Sequence, residues 1–274
     1  MFHTDAMRTT TATPTAGDRR QRVQSAETGL AILKALTRLG GSASLTAIAL
    51  EVGESAAKVH RYLASFTQEG FVAQNLVNQH YHLGAESIHL GLAALRQCDP
   101  VRLGEPALGR LRESLQVTCF IAVMGNLGPT VLRMEEPSLP VTVNIRPGSV
   151  LPVLWSATGQ VFLTFTDEAA LLRRAEAEFE AAGFEQRSLL AGPQPIERLL
   201  RQVREQGCAI VHDTLLRGIS AVAAPIFDAA GRVLAVLTAL GASNGFDARP
   251  GGVVCPRVVQ EAADISRAMG HRVA

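Results

Sequence analysis

Excess charge is almost missing from this chain: 26 lysines and arginines face 25 aspartates and glutamates in 274 residues, a formal net charge of +1. That excludes a protein that holds nucleic acid by bulk charge, though not one with a small basic module joined to an acidic partner. Lysine is scarce, with Lys34 and Lys58 the only two, so arginine carries the positive charge. The four cysteines, Cys98, Cys119, Cys208 and Cys255, form no Cys-x-x-Cys and no His/Cys cluster at zinc spacing. They read as buried thiols of a reduced compartment, with no metal site. No apolar run approaches the ~20 residues that span a bilayer. The opening "MFHTDAMRTTTATPTAGDRR" lacks the apolar core of a secretory signal, so the expected setting is the cytoplasm, without membrane contact. With neither a phosphate loop nor a dinucleotide fingerprint, no cofactor is expected.

What is present is enough apolar residue, 47%, for real cores, and a length that suits one or two domains. Residues 1–98 hold nine basic and seven acidic residues, and the remainder seventeen and eighteen. This asymmetry has the sign of an N-terminal DNA module. Residues 1–22, rich in Thr, Ala and Pro, read as a disordered arm ending in Arg19, Arg20 and Arg22, from which Arg22 can reach DNA. A helix pattern follows from Ser25 through Leu30, Leu33, Leu36 and Leu39 to Gly40-Gly41. A short one over "LTAIALEV" leads through Gly53-Glu54 into "SAAKVHRYLASFTQEG", Ser55 to Gly70. There Ser55 is a cap, Val59, Tyr62, Leu63 and Phe66 share one face, and Gly70 is the left-handed stop. Helix, helix, tight turn, helix is the helix-turn-helix signature. "FVAQ", "NLVN" and "QHYHLG" then make a hairpin with Tyr81 and Leu83 facing in and His80 and His82 facing out. A metal or pH-sensing pair is the alternative to a polar wing face for those histidines. The candidate DNA contacts are Arg22, Thr46, Ser55, Ala56, Ala57, Lys58, His60, Arg61, Tyr62 and His80.

A helix pattern over 85–96 reads as a connector, and Asp99-Pro100 as a cap with Pro at the first helical position. Beyond it come a helix around Glu105–Gln116 with Pro106 in its first turn, strands "VTCFIAVM", "PTVLRMEE" and "VTVNIR", and a short helix near Ser156–Phe165. A charged helix capped by Thr166, a helix Pro195–Gln206, strands "CAIV", "ISAVAAPIF" and "RVLAVLTAL", and a C-terminal helix complete the pattern. The fold class is α+β: a winged helix-turn-helix over 23–84, a connector over 85–98, and over 99–274 an antiparallel sheet flanked by helices.

"LTAIALEVGESAAKVHRYLASFTQEGFV" with "YHLG", then "GSVLPVLWSATGQVFLTF", "REQGCAIV", "GISAVAAPIFDAAGRVLAVLTALG" and "ADISRAMG" stand in an order that resembles the IclR family of bacterial transcriptional regulators. "GLAALRQCDPVRL" resembles a subgroup associated with aromatic or small-acid catabolism. The resemblance implies a homodimer or homotetramer on double-stranded operator DNA, with a GAF-like second domain that binds a small organic acid. Where many members begin the recognition helix with Lys-Ser-Thr, this chain has Ala56, Ala57 and Lys58. Methyl contacts then replace polar ones, with Lys58 and Arg61 on phosphate. The wing turn has no basic residue, so the salt dependence of binding is expected to be modest.

In "LPVLWSATG" the residues Ser156, Ala157 and Thr158 open a helix whose N-terminus attracts a carboxylate. In family members that bind glyoxylate-like acids an Asp, a Cys and two Ser complete the pocket; the matching positions here are Val211, Ala221, Thr238 and Leu240. Three of these are apolar, which disfavours a polar two-carbon acid and favours an apolar or aromatic body with one acidic head. Trp155 is a candidate stacking partner, and Ala122 and Met124 candidate walls. "GASNG" at 241–245 matches Gly-x-Ser-x-Gly, but Pro250-Gly251-Gly252 prevents the helix that a nucleophile elbow needs. The expectation is therefore a regulator without a catalytic residue. The alternatives are a hydrolase or isomerase using Ser243, and a constitutive DNA-binding protein with an empty second domain.

Overall fold

The structure, a computed structural model, describes residues 23–137 and 145–272, so the arm over 1–22, Arg22 and most of the "VTVNIR" strand lie outside the described residues. The chain divides into two compact units between Gln97 and Cys98.

In the first unit, α1 (Gln24–Arg38), α2 (Leu45–Val52) and α3 (Ala56–Gln68) are followed by strands β2 (Val72–Gln74) and β3 (Tyr81–Leu83) and helix α4 (Ala85–Leu95). A two-residue strand β1 (Ser42–Ala43), too short to leave a pattern in the sequence, pairs with β3, giving the order β1-β3-β2. Ser44 and Ser55 cap α2 and α3 by accepting the backbone N–H groups of Ala47 and Lys58. The left-handed Gly53, φ 73°, turns the chain between the two helices. Ile32, Leu36, Ile48, Val59, Leu63 and Val72 form the core. Tyr62 and Phe66 flank it where Gly29 brings α1 against α3: a Cβ on Gly29 would lie 3.0 Å from the Phe66 ring. Leu30, expected on the buried stripe, is 56% exposed, because the stripe of α1 runs through Ile32, Ala35 and Leu36.

In the second unit one five-stranded antiparallel sheet has the order β5-β4-β8-β7-β6. Its strands are β4 (Thr118–Gly125), β5 (Gly128–Glu135), β6 (Ala209–His212), β7 (Ile219–Phe227) and β8 (Val233–Ala242). Side chains alternate between two buried faces. Ile121, Val222, Ala224, Leu237 and Ala239 pack with helices α5 (Pro100–Leu115) and α10 (Val254–Ala268). Phe120, Ala122, Ala221, Ala223, Val236 and Leu240 pack with α6 (Ala157–Phe165). Burial on both faces is why "ISAVAAPIF" and "RVLAVLTAL" read as nearly unbroken apolar runs.

Two helix boundaries differ from the sequence reading, and one helix is additional to it. Helix α5 starts at Pro100, capped by Asp99 accepting from Val101 N, so Pro106 sits inside it. Thr166 ends α6 and does not cap α7 (Ala169–Ala181). A short helix α8 (Phe184–Ser188) precedes α9 (Pro195–Gln206), and its five residues are too few to show a period.

On one face of the sheet, Arg110 on α5 grips the buried Glu261 of the neighbouring α10 with two hydrogen bonds, 3.1 and 2.6 Å. The β7–β8 turn is held by Asp228, whose carboxylate accepts from the backbone of Ala230 and Arg232 and from the Arg232 guanidinium. Burial pushes its pKa up, but these donors outweigh burial and leave the carboxyl below its ordinary value. A depressed pKa contributes stability above the unfolded value, lost as pH falls through the folded one. Asp228→Asn should therefore lower Tm at neutral pH, and its gap to the parent should close below about pH 4 in a pH series of melts.

Gly159 lets α6 dock: a Cβ there would lie 2.3 Å from the carbonyl oxygens of Pro152 and Val153. Backbone on both sides cannot give way as a flexible side chain would. Gly159→Ala should cost about 3 kcal/mol or more in urea unfolding, at the upper end of overpacking effects.

Candidate nucleic-acid interface and effector pocket

The capped turn from α2 into α3 leaves one face of α3 in solvent. Ala56, Ala57, His60 and Arg61 are exposed there, with Thr46 exposed on the first turn of α2. Ala64, one turn after His60 and also exposed, continues that face and was missed because alanine carries no chemical signal. The remaining residues of the sequence reading are otherwise engaged. The Ser55 hydroxyl is occupied as the helix cap. Lys58 is half-buried, with Nζ 2.6 Å from Glu54 Oε1. Tyr62 is half-buried beside Phe66, ring centroids 6.4 Å apart. His80 is half-buried, and its carbonyl accepts from Asn75 N across the wing. The wing tip is apolar: Leu76 is 84% and Val77 94% exposed, on a turn shaped by Asn75 Oδ1 accepting from Val77 N. Among the described residues no three His, Cys, Asp or Glu side chains gather as metal ligands.

In the second unit the loop before α6 is pinned from two sides. Glu178 on α7 accepts the backbone N–H groups of Val153 and Leu154, at 3.0 and 2.8 Å. Ser156 donates to Pro152 O, 2.6 Å, and accepts from Gly159 N, 2.9 Å. Held this way, the N-terminus of α6 faces the sheet where register aligns Val211, Ala221, Leu240 and Thr118 across β6, β7, β8 and β4.

A cavity of about 40 Å³ lies in that corner. Of the expected residues it is lined by Ser156, Ala157, Thr158, Val211, Ala221, Thr238 and Leu240. It is also lined by Phe120, Ile145, Leu151, Leu215, Leu216 and Ile219, apolar residues indistinguishable in the sequence from core. Among the described residues of its wall none is charged. Its polar groups are the hydroxyls of Ser156 and of Thr158 and Thr238, the latter two 2.9 Å apart, together with the first backbone N–H groups of α6.

Three expected residues stand apart from this cavity. Ala122 and Met124 lie further along β4 than Phe120; Ala122 is fully buried in the core under α6. Trp155 points the other way, stacked on Phe179 at 6.3 Å and donating Nε1–H to Glu178 O. Larger hollows exist, one of about 280 Å³ bounded by Leu115–Thr118, Pro137 and Gly241–Phe246, and one of about 650 Å³ by the start of α7 with Thr164, Thr166, Asp167 and Glu168 in its wall.

Ser243 has no catalytic surroundings. No helix follows it at once, and it donates to Asp213 Oδ1, 2.8 Å, not to a histidine.

The family model for the bacterial transcriptional regulator IclR C-terminal domain matches residues 92–267, and that for the IclR helix-turn-helix domain matches residues 25–76. The crystal structure of Pseudomonas aeruginosa HmgR is similar over 92% of this chain and 100% of that one, with 40% identity and a TM-score of 0.81. The HTH-type transcriptional regulator XynR of Escherichia coli is 25% identical over 91% of this chain and 98% of its own length. The Pca regulon regulatory protein of Pseudomonas putida is 25% identical over 76% and 71%. With both domains matched in order along most of its length, this chain belongs to the IclR family of DNA-binding transcriptional regulators, and is not an enzyme.

Proposed function

We propose that the protein is an effector-responsive regulator of a catabolic operon, working in the cytoplasm as a homodimer or homotetramer. Residues 23–84 bind operator DNA, 85–98 connect, and 99–274 bind a small organic acid and oligomerise. The observation that carries the DNA reading is the capped, glycine-turned helix-turn-helix with its small, weakly basic exposed face on α3. Ala56 and Ala57 offer methyl groups to the major groove, and Arg61 offers an exposed positive charge on that face. Lys58 already answers Glu54, so its pull on phosphate is reduced. The oligomer reading is supported by α4, where Ile88, Leu90, Leu92 and Leu95 are all exposed in the single chain. Acid binding would bias two arrangements of the chain that differ in operator affinity.

The acid reading rests on the cavity beside α6. Its donors are neutral, so a carboxylate is held by the helix N-terminus and the Thr158–Thr238 pair, while Phe120, Leu151, Ile219 and Leu240 surround an apolar body. A two-carbon oxoacid would leave its remaining oxygens against those apolar walls.

Two measurements test these readings. In anisotropy titrations on operator DNA, Arg61→Ala should weaken binding more than Lys58→Ala and reduce the salt slope by about one. Glu54→Gln, which frees Lys58, should strengthen binding and steepen that slope. Full affinity in the Lys58→Ala, Arg61→Ala double variant would sink the recognition-helix reading. In thermal-shift assays, benzoate, 4-hydroxybenzoate or phenylacetate should raise Tm, since a ligand of the folded state alone adds about 2.7 kcal/mol at a hundredfold excess over Kd. A shift with glyoxylate and none with aromatic acids would refute the pocket reading.

A further inference from the structure

The cavity beside α6 is small for the ligand proposed for it. About 40 Å³ holds little more than a water, so an acid with an aromatic body enters only if a wall moves. Most of the wall cannot move cheaply, because Phe120, Leu151, Ala157, Val211, Ala221 and Leu240 are buried in the sheet and helix cores. Among the described lining residues only Leu215 and Leu216 are exposed, at 37% and 44%, and both sit on the loop 213–218 between β6 and β7. The outer side of that loop is braced by Gln186 Nε2 donating to Thr214 O, 3.3 Å, and by an exposed ion pair between Arg217 and Glu185, while Asp213 N donates to Ile219 O and Ile219 N to Leu216 O at its base.

The two ends of the loop converge on one residue of β8's C-terminal extension. Ser243 donates its backbone N–H to Gly218 O, 2.8 Å, and its hydroxyl to Asp213 Oδ1, 2.8 Å. Asp213 Oδ1 also accepts Gly218 N, 2.8 Å. Behind Ser243 stand Ser220 Oγ at 2.8 Å and, 2.9 Å from that oxygen, His212 Nδ1. The directions follow by elimination. The carboxylate only accepts, so Ser243 donates to it and must accept from Ser220, which in turn accepts from His212 carrying its proton on Nδ1. The result is a one-way chain from β6 through buried Ser220 on β7 to Ser243 and the loop's first residue. Asp213 holds a left-handed backbone, φ 54°, unfavourable for a side chain with a Cβ and sustained by these contacts.

We propose that the loop 213–218 is the lid of the effector cavity and that Ser243 is its latch, with His212, Ser220 and Asp213 as positioning residues. This rests on reading the cavity as the effector site. The serine whose surroundings match a nucleophile motif only in sequence thereby acquires a mechanical role: releasing Asp213 and Gly218 loosens the loop that carries Leu215 and Leu216, leaving the bond of Ile219 N to Leu216 O as the one to break next.

The test is run on the full-length protein without ligand. Trypsin cleavage after Arg217 and hydrogen exchange of the amides of 214–218 report lid opening. Ser243→Ala should speed both on the order of tenfold, as expected when a bond to a charged acceptor is lost from a local opening equilibrium. Amides of β7 and β8 should keep their parental protection, and Ser243→Thr, which retains the hydroxyl, should restore slow opening. Unchanged loop rates in Ser243→Ala would overturn the latch. So would faster exchange spread evenly through β7 and β8, since Ser243 would then be a general support of the sheet. If the loop loosens as expected but benzoate and the other aromatic acids leave the parent's Tm unmoved, the latch stands and the aromatic-acid reading falls.

Discussion

The Ser156 hydroxyl makes two bonds at once, donating to the carbonyl of Pro152 and accepting the N–H of Gly159, and it does so while buried. Each bond fixes a different thing. The first closes the loop before α6 onto itself, and the second starts the helix. Together with the Glu178 carboxylate on the N–H groups of Val153 and Leu154, they hold a helix N-terminus against the face of a sheet. A helix N-terminus aimed at a buried corner is an unsatisfied positive end unless something answers it. Here Ser156 Oγ answers one of its N–H groups, and the Thr158 and Thr238 hydroxyls beside it bond each other. On the proposed reading, the corner keeps donor capacity for an anion, and the apolar walls decide what that anion can be attached to.

The first unit uses the same device for a different end. Ser44 and Ser55 are caps of the same kind, and with Gly53 between them they set the angle between α2 and α3. A capped turn is stiff, which suits an element whose task is to present a surface. The surface is unusually plain, with two alanines where long polar side chains would read bases, and a lysine committed to its neighbour Glu54. On the proposed reading, specificity comes from methyl contacts and from the shape and deformability of the DNA.

How much of this was legible beforehand follows from where the information sits. Element order and most boundaries could be read because caps, glycine stops and apolar periods are local. Asp99-Pro100 reads correctly as a helix start for that reason, and Pro106 misleads because a proline inside a helix looks like a beginning. The strand β1 and helix α8 escape because two or five residues hold no period. The pocket divides along the same line. Ser156, Ala157 and Thr158 are visible as a helix start. Val211, Ala221, Thr238 and Leu240 enter only through the family pattern, and cross-strand register brings them to the cavity. Phe120, Leu151 and Ile219 could not be told from core, since a wall and a core residue differ only in whether a gap lies beside them.

Trp155 and Ser243 show the opposite failure, in which a residue type suggests chemistry that its neighbours decline. A tryptophan beside a pocket loop invites a stacking role, yet period decides direction: Ser156 and Trp155 are adjacent, so their side chains leave the chain on different sides, and the indole goes to Phe179 and Glu178. A serine in Gly-x-Ser-x-Gly invites nucleophilic attack, yet a nucleophile needs a base as its hydrogen-bond acceptor and an exposed oxygen. Ser243 gives its proton to a carboxylate and takes one from Ser220, so its oxygen is occupied in both directions. An oxygen bound on both sides is poorly placed to attack and well placed to hold. The same geometry that removes the enzyme reading therefore supplies the contact joining both ends of the loop over the cavity.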